Sequence, residues 1–295
     1  MSMRCSGCGA AMAAFLTAPD FNRAASRETF RYERCPACGL VSLANVPADL
    51  SAYYEAGYHA LPASAADLEA GAAHDRYKIE LVMQFVRGGR LVEVGPSWGA
   101  FCLLAKRNGF TVDAIEMDPR CCEFLRAQLG VNAVQAADAA AALAKVPPPD
   151  VIALWHVFEH LRDPWALLEA AARALRPGGA LVIATPNPAA FQFARFGRRW
   201  THLDAPRHVH LIPASLLAER AGKCGLQLLL ATTRDEGSLG WNDFGWRFSL
   251  ATFAEAPLAK RALRFAGRLA APLFAPIEAR EGRGSAYTAV FGKPR

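Results

Sequence analysis

The sequence predicts an α/β domain with a doubly wound, mostly parallel sheet and a small cysteine ribbon in front of it. Three observations predict this. The stretch Leu91–Glu116 reads as strand, tight glycine turn, helix, and a second strand ending on an acid. Downstream of it, short apolar runs alternate with helical segments at the spacing of strand–helix–strand units. At the amino end, Cys5-x-x-Cys8-Gly9 and Cys35-Pro-x-Cys38-Gly39 are two matching knuckles.

Each element can be justified in order. Four thiolates in two such pairs suit one tetrahedral metal, and the glycine after each pair permits a tight turn. Cys5, Cys8, Cys35 and Cys38 are therefore expected to hold a structural zinc ion, with two disulfides or a redox couple as the competing readings. Ala10–Ala18 is apolar but too close to the paired cysteines to be a cleaved leader. Tyr53 and Tyr54 fall on a short helix before the main domain, as packing aromatics or as a roof over the cofactor site. Val131–Ala136 predicts a third strand with Asp138 just after it. Asp150–Val157 is nearly continuous in apolar residues, as in a strand buried on both faces. A helix follows over Trp165–Leu175 and stops at Arg176-Pro-Gly-Gly179. Ala180–Ala184 is the next strand, a further helix begins near Pro213, and Ser285–Lys293 closes the chain.

The turn after the first strand of the domain selects a cofactor. Glu116 follows Gly95 by about 20 residues, the offset at which an acid ending the second strand reaches ribose hydroxyls. A dinucleotide site requires Gly-x-Gly-x-x-Gly, and here Gly95, Ser97 and Ala100 occupy those positions. An acid at Glu93 repels a pyrophosphate and suits a ligand with a cationic amine and a sulfonium, such as S-adenosylmethionine. An NAD-dependent oxidoreductase and a turn with no ligand are the alternatives.

The segment from about Leu81 to Thr233 resembles the class I S-adenosylmethionine-dependent methyltransferases. The residues that carry the resemblance are Glu93-Val-Gly-Pro-Ser-Trp-Gly99, Glu116, Asp138, Trp155–Leu161, Leu175-Arg-Pro-Gly-Gly179 and Thr185-Pro-Asn187. The resemblance implies a Rossmann-like sheet whose last strand is antiparallel, at the sheet's far side. It implies that Glu93, Gly95, Ser97 and Gly99 lie against the methionine part of the cofactor. Glu116, with its neighbour Met117, would bind the ribose, and Asp138, with Ala139, the adenine. Trp155 or His156 would pack on the adenine or hold the methyl-donor end. Ser97 departs from the family's middle glycine. A cysteine ribbon ahead of such a domain is similar to a bacterial group that includes sugar methyltransferases. A sugar, nucleotide sugar or glycolipid precursor is the expected acceptor, with oxygen the favoured atom. A non-catalytic scaffold that keeps the cofactor fold is the competing class.

The expected organisation is a ribbon over 1–45, a helical linker over 46–78 and the methyltransferase domain over 79–295. Within the domain, 195–225 forms the acceptor-site loop and helix, and 240–283 a helical insertion. The 295 residues allow one large core and a small appendage. The segment Trp200–Leu211 is dense in titrating groups. His208 is the candidate general base, His210 the second and His156 a third. Glu159 and His160 could orient a helix start or bind a divalent ion.

Net charge is +6. Arg195, Arg198, Arg199, Arg207, Arg220 and Lys223 could form a basic surface for an acidic or phosphorylated small molecule, or a solvated face. No dense basic tract points to nucleic acid. Leu258, Ala262, Phe265, Leu269 and Leu273 recur at helical spacing among Lys260, Arg261, Arg264 and Arg268, in a helix expected to end at Pro272 and Pro276. That stripe over 258–273 is either a core or homo-oligomer face, or a peripheral membrane contact. Cys102, Cys121, Cys122 and Cys224 sit in apolar contexts as inert thiols, and the cysteine usage suits a reducing cytoplasm.

Overall fold

The computed structural model describes residues 3–54, 61–280 and 282–295, so residues 55–60 of the expected linker lie outside it. The amino-terminal part is a small antiparallel sheet of β1 (Ala13–Pro19), β2 (Thr29–Arg34) and β3 (Val41–Leu43). The two knuckles precede β1 and β3 and share one pattern. Gly9 N–H donates to Cys5 O and Gly39 N–H to Cys35 O, while Cys5 and Cys35 donate to Ala10 and Leu40. Both glycines sit near φ +78°, a conformation that costs a side-chain-bearing residue most.

Helices α1 (Ala65–His74) and α2 (Arg76–Met83) lead into the main domain. There follow β4 (Gly89–Val94), α3 (Ala100–Arg107), β5 (Phe110–Glu116), α4 (Pro119–Leu129), β6 (Asn132–Gln135), α5 (Ala139–Leu143) and β7 (Val151–Trp155). Then come α6 (Pro164–Ala174), β8 (Ala180–Pro186), α7 (Phe191–Phe196), β9 (His210–Leu211), α8 (Ala214–Lys223) and β10 (Gln227–Thr232). The chain finishes with α9 (Glu236–Ala251), α10 (Pro257–Glu278) and β11 (Ala286–Gly292). The helix starts follow local chemistry. Asp118 caps α4 and Asp163 caps α6, each with proline in the first turn, and Asp235 caps α9.

The main sheet has seven strands in the order β10-β11-β8-β7-β4-β5-β6. β11 is antiparallel to both neighbours, and β4, β5, β6, β7 and β8 pair in parallel. The closing strand thus lies one place in from the edge, which β10 occupies. β7 is buried along its whole length, as its apolar run requires.

The ribbon is not a free appendage. β9, from the loop after α7, pairs with β3 and makes the small sheet four-stranded. Cys5, Met12, Cys35 and Leu40 share one core with Trp165 of α6 and Leu216 of α8. The expected core role for the Leu258 stripe is overturned. α10 packs on α9 through its opposite face, with Phe274 stacked on Trp246 at 4.5 Å and Gly267 against the Arg247 backbone. α10 also runs through Pro272 and Pro276 to Glu278. Both prolines are exposed, so the carbonyls they leave unpaired can face water.

Candidate active site

The strand order reverses between β4 and β7, and in open α/β sheets ligands bind at that crevice beyond the carboxyl ends. The turn leaving β4 carries Gly95, Ser97 and Gly99. Gly99 has φ +84°, and a Cβ there would meet Leu125 at 2.4 Å and Leu129 at 2.8 Å. It is glycine both for conformation and to seat α3 against α4. Ser97 adopts φ +54°, and its amide donates to Glu116 Oε2 at 2.9 Å. Glu116 Oε1 accepts from the Met117 and Asp118 amides at 2.7 and 2.9 Å. Three amides thus fix a buried carboxylate that has about four acceptor sites, leaving capacity for a hydroxyl donor. Met117 is exposed beside it. Asp138 uses Oδ1 to cap α5 through the Ala141 amide, just before Ala139.

Glu93 is buried one strand over. Burial pushes its carboxyl up to about 7, while a 2.9 Å hydrogen bond from the Cys102 thiol and the charge of Lys78 pull it back. Trp155 differs from the expectation. Its ring lies in the core against Phe101 and Tyr77, with Lys78 5.3 Å from its centroid, instead of standing open to stack on an adenine.

Next to the crevice lies a cavity of about 760 Å³, lined on one wall by His156, Glu159, His160, His202 and His208 and on another by Trp241, Phe244 and Phe248. Glu159 is its hub and is fully buried. Oε2 accepts from the Thr185 hydroxyl at 3.0 Å, and Oε1 has no hydrogen-bond partner among the described residues. His156 Nδ1 stands 3.5 Å and His208 Nε2 3.9 Å from that Oε1. Burial alone would raise the Glu159 carboxyl, but His156 and the charge of His208 hold it at about 2. His156 sits at φ +56°, directly after β7, a costly conformation for a non-glycine residue.

The other histidines are sorted by their partners. His208 Nδ1–H donates to His202 O at 2.8 Å, which turns Nε2 toward Glu159 and toward Asp204 Oδ2 at 4.0 Å. His160 Nδ1 lies 3.0 Å from Arg207 O and 2.9 Å from the Tyr54 hydroxyl, and desolvation lowers it to about 4. Tyr54 is therefore joined to this cluster, while Tyr53 is buried among packing aromatics. His202 donates to Trp241 O at 2.9 Å, and burial lowers it to about 3. His210 is a correction. Its Nδ1 accepts from Ser42 Oγ at 2.8 Å and its Nε2–H faces Arg162 O at 3.3 Å, so one nitrogen serves the joint between β9 and β3 and the other ties β9 to the segment before α6. Burial lowers its pKa as well.

A model of the methyltransferase-domain family matches residues 70–231, more than half of the chain. The chain belongs to the class I S-adenosylmethionine-dependent methyltransferase family. Among curated relatives, it is 32% identical over 145 residues to a ubiquinone biosynthesis O-methyltransferase of Xylella fastidiosa, covering 44% of this chain and 58% of that one. A protein of the same name from Xanthomonas euvesicatoria is 31% identical over 152 residues, covering 48% and 64%. The chain thus spans less than two thirds of the length of these relatives. The solved structure of an S-adenosylmethionine-dependent methyltransferase from Archaeoglobus fulgidus shares the fold, with a TM-score of 0.50 at 16% identity over 75% of this chain and 94% of that one.

Family membership gives the crevice of this methyltransferase its cofactor, and the residues fit. The Glu116 carboxylate has acceptor capacity left, and Glu93 places a titrating acid under the turn. The four ribbon cysteines fit a metal equally well. Cys5 and Cys38 sulfurs are 3.5 Å apart, as are those of Cys8 and Cys35, and all four lie within 4.8 Å of one another. A disulfide requires about 2.05 Å, whereas tetrahedral ligands at about 2.3 Å from zinc stand roughly 3.8 Å apart. Of the remaining cysteines, Cys102, Cys121 and Cys122 are buried and Cys224 is half-buried. Cys102 is held by Glu93, and burial pushes the Cys121 thiol up to about 12.

The basic surface of this methyltransferase is dispersed. Arg207 is fully buried between Asp20 and Asp204, Lys223 pairs with Glu219, and Arg220 lies over Trp165. Only Arg199 of that set lines the cavity, where Lys260 and Arg264 join it. The hub role of Glu159 is only hinted at in the sequence, by the His156-x-x-Glu159-His160 pattern after β7. Nothing local signals Trp241 or Phe244 as site residues, and the Thr185-Pro-Asn187 motif gives no sign that Thr185 bonds Glu159.

Proposed function

We propose that this chain transfers a methyl group from S-adenosylmethionine to a hydroxyl of a small, ring-bearing acceptor held in the 760 Å³ cavity. The observation that carries this reading is the buried, ionised Glu159 carboxylate standing between His156 and His208 on the cavity wall. S-adenosylmethionine, bound at the crevice, supplies an electrophilic methyl on a sulfonium. The chain's residues supply position and a proton acceptor. Trp241, Phe244 and Phe248 form an aromatic wall for a ring. Arg199, Lys260 and Arg264 suit an acidic group on the acceptor, so a sugar-class or phenolic acceptor bearing phosphate or carboxylate fits both walls. His208 Nε2 would accept the proton of the acceptor hydroxyl, and the Glu159 carboxylate would stabilise the imidazolium formed. The O-methyltransferase names of the relatives support oxygen as the accepting atom.

Single-turnover methyl transfer, with a panel of acidic sugars and phenols, tests this reading. His208→Ala lowers the rate by about 10²–10⁴ while cofactor affinity is nearly unchanged, because general-base help belongs to the transition state. Glu159→Gln lowers it in the same way. Near-normal turnover of His208→Ala would remove this histidine from the mechanism.

The unpartnered Glu159 Oε1 also favours a second reading. Ligand atoms of Glu159, His160 and His208 lie within 4.8 Å of one another, close enough to share a divalent cation that would hold an acceptor oxygen. Activity lost on chelation and restored by magnesium would select it. In the ribbon, zinc is the metal we assign to the four cysteines, as a closed structural site. With all eight cysteines free, a reducing cytoplasm suits the protein.

A further inference from the structure

Helix α10 turns its apolar stripe away from the protein. Leu258 is 81%, Phe265 63%, Leu269 57% and Leu273 75% exposed, and these side chains share one face of a 22-residue helix. The opposite face anchors the helix. Phe274 stacks on Trp246, and the buried Glu278 accepts from Gln192 and from the Trp246 indole at 2.7 and 3.1 Å. The stripe is therefore surplus to the fold. Along one flank of the stripe run Arg261 and Arg268, with Lys260 and Arg264 turned further round toward the cavity, and from Pro257 to Ile277 there is no acidic residue. A long amphipathic helix with a row of cations beside large exposed apolar groups matches the chemistry of the headgroup layer of an anionic bilayer.

We propose that α10 docks this protein on an anionic membrane surface, burying Leu258, Phe265, Leu269 and Leu273 among the acyl chains while Arg261 and Arg268 meet lipid phosphates. Charge decides between this occupant and a second copy of the chain. A two-fold contact through the stripe would set two cationic helices side by side, with no exposed acid on α10 to neutralise them, since Glu278 is buried. Among the described residues no helix is long and apolar enough to cross a membrane, so the contact is peripheral. Lys260 and Arg264 also line the cavity, and the exposed Phe253 stands at the same rim. Docking therefore brings the cavity mouth to the bilayer surface, and a lipid-borne acceptor with an acidic headgroup could enter it. That last step rests on the reading of the cavity as the acceptor site, whereas docking itself does not.

Vesicle flotation tests the proposal without any turnover. The full chain binds phosphatidylcholine vesicles containing about 30 mol% phosphatidylglycerol and floats poorly with phosphatidylcholine alone. Phe265→Glu with Leu269→Glu weakens binding about tenfold or more, and so does Arg261→Glu with Arg268→Glu, whose effect shrinks at high salt. All four side chains are exposed, so the variants retain the wild-type melting temperature and S-adenosylmethionine affinity. Absence of binding to the anionic vesicles, or variants that bind as well as wild type, would overturn the proposal. So would a stable dimer by light scattering that Phe265→Glu splits.

Discussion

Two buried glutamates beside the crevice have opposite protonation behaviour, and the cause is what each one faces. Glu93 meets mainly apolar strand neighbours and a thiol, so burial dominates and its carboxyl rises to about 7. Glu159 meets histidines, so it stays ionised and falls to about 2. For Glu93 the sign is clear. Its raised folded-state pKa favours the fold below the ordinary carboxylate range, and this contribution is lost as pH rises through about 7. A cationic ligand close by reverses the balance by favouring the carboxylate. S-adenosylmethionine binding is therefore expected to release protons near pH 7 and to tighten several-fold between about pH 6 and 8. Calorimetry in buffers of different ionisation enthalpy measures both. Glu93→Gln abolishes the dependence, and a pH-independent affinity for wild type would show that Glu93 does not sense the ligand. The identity of these residues was legible to different degrees. Glu116 and Glu93 follow from their offsets along one strand–turn–helix unit. The coupling of Glu159 to His208 joins residues on separate elements, and no spacing rule reports it.

At the scale of elements, the connection between α7 and α8 is the part that tertiary contacts shape most. It is a sequence rich in histidine and short of helix or strand signals, and it becomes rigid by joining the ribbon. Arg207 makes two forks at once. Its Nη groups reach Asp20 at 2.7 and 3.0 Å, and its Nε and Nη2 reach Asp204 at 2.8 and 2.7 Å. Asp20 opens the turn after β1, so this pair ties the ribbon to the wall that carries His208. Removing the arginine leaves two carboxylates facing each other in a buried site. Arg207→Met is expected to cost about 3–5 kcal/mol in denaturant unfolding, and Arg207→Lys also destabilises because an ammonium cannot fork both acids. A loss below about 1 kcal/mol for Arg207→Met would show that the pair is not what holds this wall. β9 contributes to the same joint through His210, which explains why a residue that reads as a second base is a structural one.

For the whole molecule, the consequence is that the four-cysteine cluster and the wall of the cavity are linked through packing. Cys5 and Cys35 belong to the core that also holds Trp165 and Leu216, and the Trp165 indole donates to Ser6 at 3.1 Å. β3 then passes the order of the ribbon on to β9. Purified protein is expected to contain about one zinc per chain. Chelation, or Cys8→Ser, lowers the melting temperature and removes hydrogen-exchange protection from residues 200–211 as well as from the ribbon, while β4–β6 stay protected. Metal analysis together with exchange measurements checks this. Protection of 200–211 unchanged after zinc removal would mean that the two parts are ordered independently.

By itself, the sequence determined the parts that depend on short-range pattern. The strand–turn–helix of the crevice, the buried fourth-strand run, the helix caps and the paired cysteine knuckles each come from a few consecutive residues whose backbone preference and burial agree. Tertiary structure decided everything that depends on which surface meets which. It placed β11 between β8 and β10, put Trp155 into the core, engaged both nitrogens of His210, and brought Glu159 and Trp241 to one cavity, with Thr185 bonded to Glu159 and Tyr54 to His160 behind its wall. It also chose the side on which the α10 stripe faces. Helical periodicity shows that the apolar residues share a face, but it cannot say whether that face points inward, because that depends on the partner α9 offers. Here α9 takes the small and aromatic residues Gly267 and Phe274, and the leucines are left outside.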